Sequence, residues 1–191
     1  MSQHKCGWCL GDPLYEAYHD KEWGVPVYHD QTFFEFLVLE SFQAGLSWIT
    51  VLRKRKNFRE AFDDFDYQKI AMYNEKKVEQ LLQNEGIIRN KLKVRSAITN
   101  AQEFIRIQKE FGSFSDYVWS FVDGKAQQHD VENYKEAPAT TPESEALSKD
   151  LKKRGFKFMG PTVMYAFMQA TGMVNDHEKK CFRYTEVKKM T

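Results

Sequence analysis

Apolar residues recur three and four positions apart along most of this chain, the spacing of a helix face and not of a strand. Asp12 followed by Pro13, Leu14 and Tyr15 predicts a short first helix, with Asp12 as cap and Pro13 in the first position. It would set Tyr15, Tyr18 and His19 on neighbouring faces. Trp23-Gly24-Val25-Pro26 reads as a turn. A second helix, capped by Asp30, runs through Phe33, Phe34, Phe36, Leu37 and Val38 until Gly45 ends it, and Ser47 caps a third that carries Trp48. Two short helices are expected over residues 66–73 and 75–84, the second ending near Gly86. A long one follows over 91–111, with Val94, Ile98, Ala101, Ile105 and Gln108 on its apolar stripe. An aromatic-rich helix covers 114–121, and the polar segment 123–142 reads as a long connecting loop. Thr141 and Pro142 then open a helix through Ala146, Leu147 and Leu151. Residues 155–160 turn tightly, Pro161 starts a helix over 163–171, and Gly172 closes it. No strict alternation bounded by hairpin turns and no fixed repeat is present. The expected fold is an all-α helical bundle, a single domain over residues 1–191.

The run from Leu37 to Leu52 organises this pattern, because it is apolar yet carries a carboxylate, an amide, a glycine and an indole. Glu40 falls on the helix face of Phe33, Phe36, Leu37 and Ala44. A carboxylate there loses hydration, so it must pair, protonate or meet a polar ligand. With Gly45 breaking the helix and Trp48 just beyond, this corner predicts one wall of a pocket. A core Trp and an ion-paired Glu would give the same pattern.

Composition narrows the classes. A chain of 191 residues can bury a substantial core. The formal net charge of +1 neither points to nor excludes a nucleic acid. Aromatic residues at 15% supply stacking surfaces. No uninterrupted apolar run is long enough to span a membrane and the start lacks signal-peptide character, so a soluble, cytoplasmic protein is expected. Three cysteines do not make a disulfide scaffold; metal binding or free thiols fit better.

Two Cys/His pairs stand at opposite ends of the chain. Cys6 and His19 are near the start, and His177 and Cys181, four apart, would share one helix face. Together they suffice for a closed tetrahedral zinc site joining the termini. Cys9 competes, since Cys6-Gly7-Trp8-Cys9 is itself a C-x-x-C pair for metal or redox chemistry. The segment Leu151 to Thr162 resembles a helix-hairpin-helix element. The amides that open the Pro161 helix would meet a phosphate, with Lys152, Lys153, Arg154 and Lys157 beside them. A helix pair packed inside any α-domain would look similar. The basic run Arg53-Lys54-Arg55-Lys56 with Arg59 reads as a solvated face or a second phosphate contact.

Taken together, Cys6-Gly7-Trp8, Asp12-Pro13-Leu14-Tyr15, Tyr18-His19-Asp20, Glu22-Trp23-Gly24-Val25-Pro26, Gln43 to Leu52, Gly86-Ile87-Ile88-Arg89, Leu151 to Phe158 and Val174-Asn175-Asp176-His177 closely resemble one family. It is the 3-methyladenine DNA glycosylase I family, within the helix-hairpin-helix glycosylases, and the likeness runs from about residue 6 to 181. The resemblance implies a monofunctional enzyme of base excision repair that removes 3-methyladenine from alkylated double-stranded DNA. It implies Zn2+ held by Cys6, His19, His177 and Cys181, with Cys9 outside the set. Glu40 is implied as the catalytic and base-recognising carboxylate, Trp48 as the stacking ring, and Tyr15 and Tyr18 as pocket walls. Leu46 is implied as the wedge into the duplex. Gly45, Lys157, Gly160 and Thr162 are the accompanying DNA contacts. The positions that in related glycosylases hold an Asp and a Schiff-base Lys fall here on Asn175 and Thr162, so no strand cleavage is expected. A monomer is expected. The alternatives are a catalytically silent binder of alkylated DNA with the same fold, and a zinc-clasped helical interaction module.

Overall fold

The computed structural model describes residues 4–43 and 45–190; the expected place of Ala44 on the Glu40 face lies outside them. The described residues form ten α-helices with short 3-10 turns and one two-residue strand pair. Helix α1 (Pro13–Lys21) begins as its cap predicts: the Asp12 carboxylate accepts from the amides of Leu14 and Tyr15. Helix α2 (Asp30–Gln43) is central. Every residue from Phe33 to Phe42 is buried, because α2 packs against α3 (Trp48–Ala61), α6 (Lys91–Phe111), α7 (Phe114–Trp119) and α9 (Pro161–Ala170). A helix enclosed on all sides needs apolar residues all round. Phe33, Phe34, Leu37, Leu39 and Phe42 supply them, each worth about 1.5–3 kcal/mol on burial.

Asp30 does not cap its own helix, as the sequence suggested. Its carboxylate accepts from the backbone amides of Phe114 and Ser115, both at 2.9 Å, and from Gln108 Nε2 at 2.6 Å. It therefore caps α7, 84 residues away, and ties α2 to α6 and α7. At the other end of α2, Gly45 stands at φ +81°, a conformation that L side chains rarely adopt, and it turns the chain sharply into α3. Ser47 takes the cap position of α3, but its hydroxyl bonds the Thr50 hydroxyl at 2.8 Å and not a backbone amide.

The short α4 (Tyr67–Ile70) and α5 (Glu75–Gln83) lead into α6. Its buried side is Val94, Ala97, Ala101, Phe104 and Ile107. Ile98, Ile105 and Gln108, expected on that stripe, are only half-buried; Phe104, one position over, takes the core and stacks on Phe114 with centroids 4.1 Å apart. Helix α8 (Pro142–Arg154) opens with a reciprocal Thr141/Ser144 capping box and stops at Gly155. It packs on α9 through a tight connection, and the chain ends in α10 (Phe182–Lys188).

Segment 123–141 is largely the connecting loop its composition suggests, but it is pinned to the C-terminal segment at several points. Strand β1 (Gln127–Gln128) pairs in parallel with β2 (Val174–Asn175). Further along, Val131 O accepts from Lys179 N at 2.9 Å and Tyr134 N donates to Glu178 Oε1 at 3.0 Å. These contacts join residues some 47 positions apart, which no local pattern announces. No helix among the described residues is long and apolar enough to cross a membrane.

Candidate active site

Helix α2 carries two buried glutamates with opposite surroundings. Glu35 meets Arg55 Nε at 2.7 Å and Arg59 Nε at 2.9 Å. Arg55, itself buried, also reaches Glu22 at 2.6 Å, so this member of the basic run works inside the protein, while Arg53, Lys56 and Arg59 stay exposed. Glu40 has no such partner: its carboxyl makes no hydrogen bond with any described residue and is 4% exposed. Burial pushes its pKa up from 4.5 to about 8. An empty pocket at neutral pH therefore holds Glu40 mostly as the neutral acid, with one donor and one acceptor.

The pocket around Glu40 has a volume of about 220 Å³. Tyr15 and Tyr18 face it from α1, Trp48 from α3, and Trp8 and Trp23 from the N-terminal segment. Their rings contact one another edge to face or tilted, Tyr18 on Trp48 at 5.7 Å and Trp8 on Trp23 at 4.9 Å between centroids. The Tyr18 hydroxyl and the Trp48 indole N–H are buried without a hydrogen-bond partner among the described residues. Unsatisfied buried donors cost about 1–3 kcal/mol each. Two of them beside an unpaired acid mark a pocket built for a flat polar ligand.

Glu40 and Trp48, flanking the Gly45 corner, are thus brought together as the sequence suggested, with Tyr15 and Tyr18 opposite. Sequence reasoning missed Trp8 and Trp23 as pocket walls, although both sit in the short blocks Cys6-Gly7-Trp8 and Glu22-Trp23-Gly24-Val25-Pro26 that carry the resemblance. It also missed Tyr134, which arrives from segment 123–141 with no local signal. Gln169 and Asp176 complete a polar side of the cavity. Burial alone would raise the Asp176 carboxyl, but hydrogen bonds from His129, Tyr165 and Gln169 hold it below its ordinary value.

Gly45, Leu46 and Thr162 lie together along a second cleft that shares Glu40, Gln43 and Ala166 with the pocket. Leu46 is 41% exposed at the tip of the corner. Gly160, two residues before Thr162, occupies the cap position of α9 with open space around its α-carbon. Asn100 clamps the α8–α9 connection from both sides, accepting from Lys157 N at 2.8 Å and donating to Lys157 O at 3.1 Å, while the Lys157 side chain stays exposed. Arg154 is otherwise engaged, bonded to Asp150 at 2.6 Å and Glu110 at 2.7 Å and laid over Phe111.

Behind the pocket, Cys6, His19, His177 and Cys181 converge, their ligand atoms all within 4.8 Å of one another and all four residues buried. The closest approaches are 3.4 Å (Cys181 Sγ to His19 Nε2), 3.6 Å (Cys6 Sγ to His177 Nδ1) and 3.8 Å (Cys181 Sγ to His177 Nδ1). A tetrahedral ion with metal–ligand bonds of about 2.0–2.3 Å needs edges of about 3.3–3.8 Å, so the cluster has the size for a metal. The second ring nitrogens are held too, His19 Nδ1 by Asp20 at 2.8 Å and His177 Nε2 by the Trp23 carbonyl at 3.0 Å. Burial lowers the His177 pKa and so favours the neutral imidazole that ligates. His177 and Cys181 do not share a helix face as expected; a turn just before α10 folds them together. Cys9 stays outside, its thiol turned to the Cys6 carbonyl at 3.2 Å. Gly24 admits the His177 ring, since a β-carbon there would stand 2.9 Å from Nε2. Asn175 does not line the pocket: it bonds Gln128 Oε1, the Tyr184 carbonyl and the His177 amide, and so braces β2 and the ligand turn.

Comparison with known proteins places this architecture. The chain is 50% identical over 180 residues to the DNA-3-methyladenine glycosylase 1 of Escherichia coli K12, covering 94% of this chain and 96% of that protein. A crystal structure of a 3-methyladenine DNA glycosylase I superposes with a TM-score of 0.91 at 52% identity, covering 94% of this chain and 98% of that one. The Staphylococcus aureus enzyme, described for its recognition of 3-methyladenine, superposes with the same TM-score at 36% identity and covers 95% and 97%. The family profile described as methyladenine glycosylase matches residues 8–184, and the chain belongs to that family.

Proposed function

We propose that this protein is a monofunctional DNA glycosylase that hydrolyses the N-glycosidic bond of 3-methyladenine in alkylated duplex DNA, opening base excision repair. The observation that carries the reading is the buried, unpaired Glu40 in an aromatic pocket with two unsatisfied donors, Tyr18 Oη and Trp48 Nε1. Adenine offers an acceptor at N7 and a donor at its exocyclic amine along one edge. A neutral carboxylic acid matches that pair with its hydroxyl and carbonyl oxygens. Methylation at N3 makes the nucleoside cationic, and the faces of Trp48, Tyr15 and Tyr18 favour a cation. The base must leave the stack to reach them, and Leu46, exposed at the mouth, is the wedge that fills the gap.

The α8–α9 pair acts as a helix-hairpin-helix clamp. Gly160 and Thr162 present backbone amides at the start of α9, Gly45 faces them across the cleft, and Lys157 adds a charge toward the same strand. The damaged base already carries the charge of a good leaving group, so the site needs no strong general base. No lysine lines the pocket among the described residues, and Thr162, in the first turn of α9, takes the position that the resemblance gives to a Schiff-base lysine in strand-cleaving relatives. Cys6, His19, His177 and Cys181 hold a structural Zn2+; two thiolates and two imidazoles leave no open position, so the ion fixes the termini behind the pocket.

The test is release of free 3-methyladenine from methylated duplex DNA, with abasic strands assayed for nicking in the same reaction. Release without nicking is expected. Binding of abasic DNA with no release would mean a silent binder, and nicking would overturn the monofunctional assignment.

A further inference from the structure

The polar wall of the pocket is not explained by aromatic stacking. Gln169, near the end of α9, and Asp176, just after β2, both line the cavity. Gln169 Nε2 donates to Asp176 Oδ2 at 2.7 Å. Asp176 is 3% exposed, and the Tyr165 hydroxyl and His129 Nδ1, the latter at 2.6 Å, converge on the same carboxylate. A carboxylate ringed by donors accepts only, so it fixes which way the amide points. The nitrogen turns to Asp176, and the carbonyl oxygen is the end left free. That oxygen makes no hydrogen bond with any described residue.

We propose that Gln169, its amide locked by Asp176, is a specificity-determining residue that selects adenine-type over guanine-type damaged bases. The inference rests on the glycosylase reading. The exocyclic amine of an adenine-type base has two N–H groups; Glu40 takes one, and the Gln169 carbonyl takes the other. A guanine-type base carries a carbonyl at that position. Two acceptors would then face each other in a buried site, each without its partner. A free amide would escape this by rotating its NH2 group inward. Asp176 forbids the rotation, which makes it a positioning residue for discrimination.

The experiment measures single-turnover release of 3-methyladenine and of 3-methylguanine from the same methylated duplex DNA. The full-length protein is compared with Gln169→Leu, Gln169→Met and Asp176→Asn, and thermal midpoints are followed alongside. Wild type is expected to favour 3-methyladenine, and either Gln169 substitution is expected to lower the ratio of the two rates about tenfold. Asp176→Asn is expected to lower it as well, chiefly by raising 3-methylguanine release as the amide becomes free to turn. A general loosening of the fold would slow both bases together and leave the ratio alone. An unchanged ratio in a folded Gln169 variant overturns the proposal, whatever Asp176→Asn does. A lowered ratio in the Gln169 variants with an unchanged one in a folded Asp176→Asn removes the lock. Failure of wild type to release either base would instead defeat the glycosylase reading itself.

Discussion

Glu40→Gln separates what the carboxyl does for the ligand from what it costs the fold. Glutamine has nearly the shape of the neutral acid but cannot ionise. In the folded protein Glu40 titrates at about 8 because burial disfavours its charge, whereas in the unfolded chain it titrates near 4.5. Between those values the folded state holds a proton that the unfolded state has released, so stability falls as pH rises. The contribution is fully present below the unfolded pKa and is lost on passing through the folded one. Integrated from pH 5 to pH 7, the loss is on the order of 2–3 kcal/mol, and little more is lost above pH 8. Urea unfolding of wild type and Glu40→Gln at steps from pH 5 to pH 9 reads this directly. The two proteins should converge at pH 5, and the variant should gain on wild type as the pH rises. 3-Methyladenine release by the variant should fall by at least tenfold over the same range, because an amide cannot follow the base charge by ionising. A stability difference that stays flat from pH 5 to pH 9 would refute the reasoning, since it would mean that Glu40 is hydrated or paired in the folded protein.

Other substitutions test the remaining parts. Cys181→Ser should abolish stoichiometric zinc in the purified protein and lower its thermal midpoint; full retention of the metal would bring Cys9 into the ligand set. Gly24→Ala places a β-carbon against His177 Nε2 and should cost both metal affinity and about 1–3 kcal/mol of stability, read by metal content and denaturation; an unchanged protein would show that the ring has room to shift. Leu46→Ala should leave stability unchanged, because the side chain is exposed, yet slow excision from duplex DNA far more than from single strands. Equal slowing on both substrates would deny it the role of wedge.

What the sequence made legible divides along the range of the interactions involved. The caps of α1 and α8 and the glycine that ends α2 were readable because each is decided within a few residues. Glu40 was readable for a related reason: a carboxylate among Phe33, Phe36 and Leu37 is anomalous on its own helix, whatever packs against it. Asp30 looked like an ordinary local cap, and only the packing of α7 against α2 shows where its carboxylate goes. On α6, Val94 and Ala101 were placed correctly, but Ala97, Phe104 and Ile107 and not Ile98, Ile105 and Gln108 complete the buried face, a choice between neighbouring positions that periodicity leaves open. His177 and Cys181 do come together, but through a turn doing what a helix face was expected to do.

Segment 123–141 is the long connection its composition suggests, but where it is anchored was not legible, and that bears on function. Its polar composition and prolines describe a chain that cannot bury much of itself, and that part is true. It is held instead by backbone pairing with β2 and by the bond from Tyr134 N to Glu178, beside His177 of the Cys/His cluster. Those anchors bring Tyr134 to the pocket and His129 to Asp176. The same short stretch, 174–178, thus braces the turn that brings His177 and Cys181 together, carries the carboxylate that orients Gln169, and docks the segment that completes the aromatic wall. Loss of the metal should therefore reach the base pocket through these residues, without the ion touching the base.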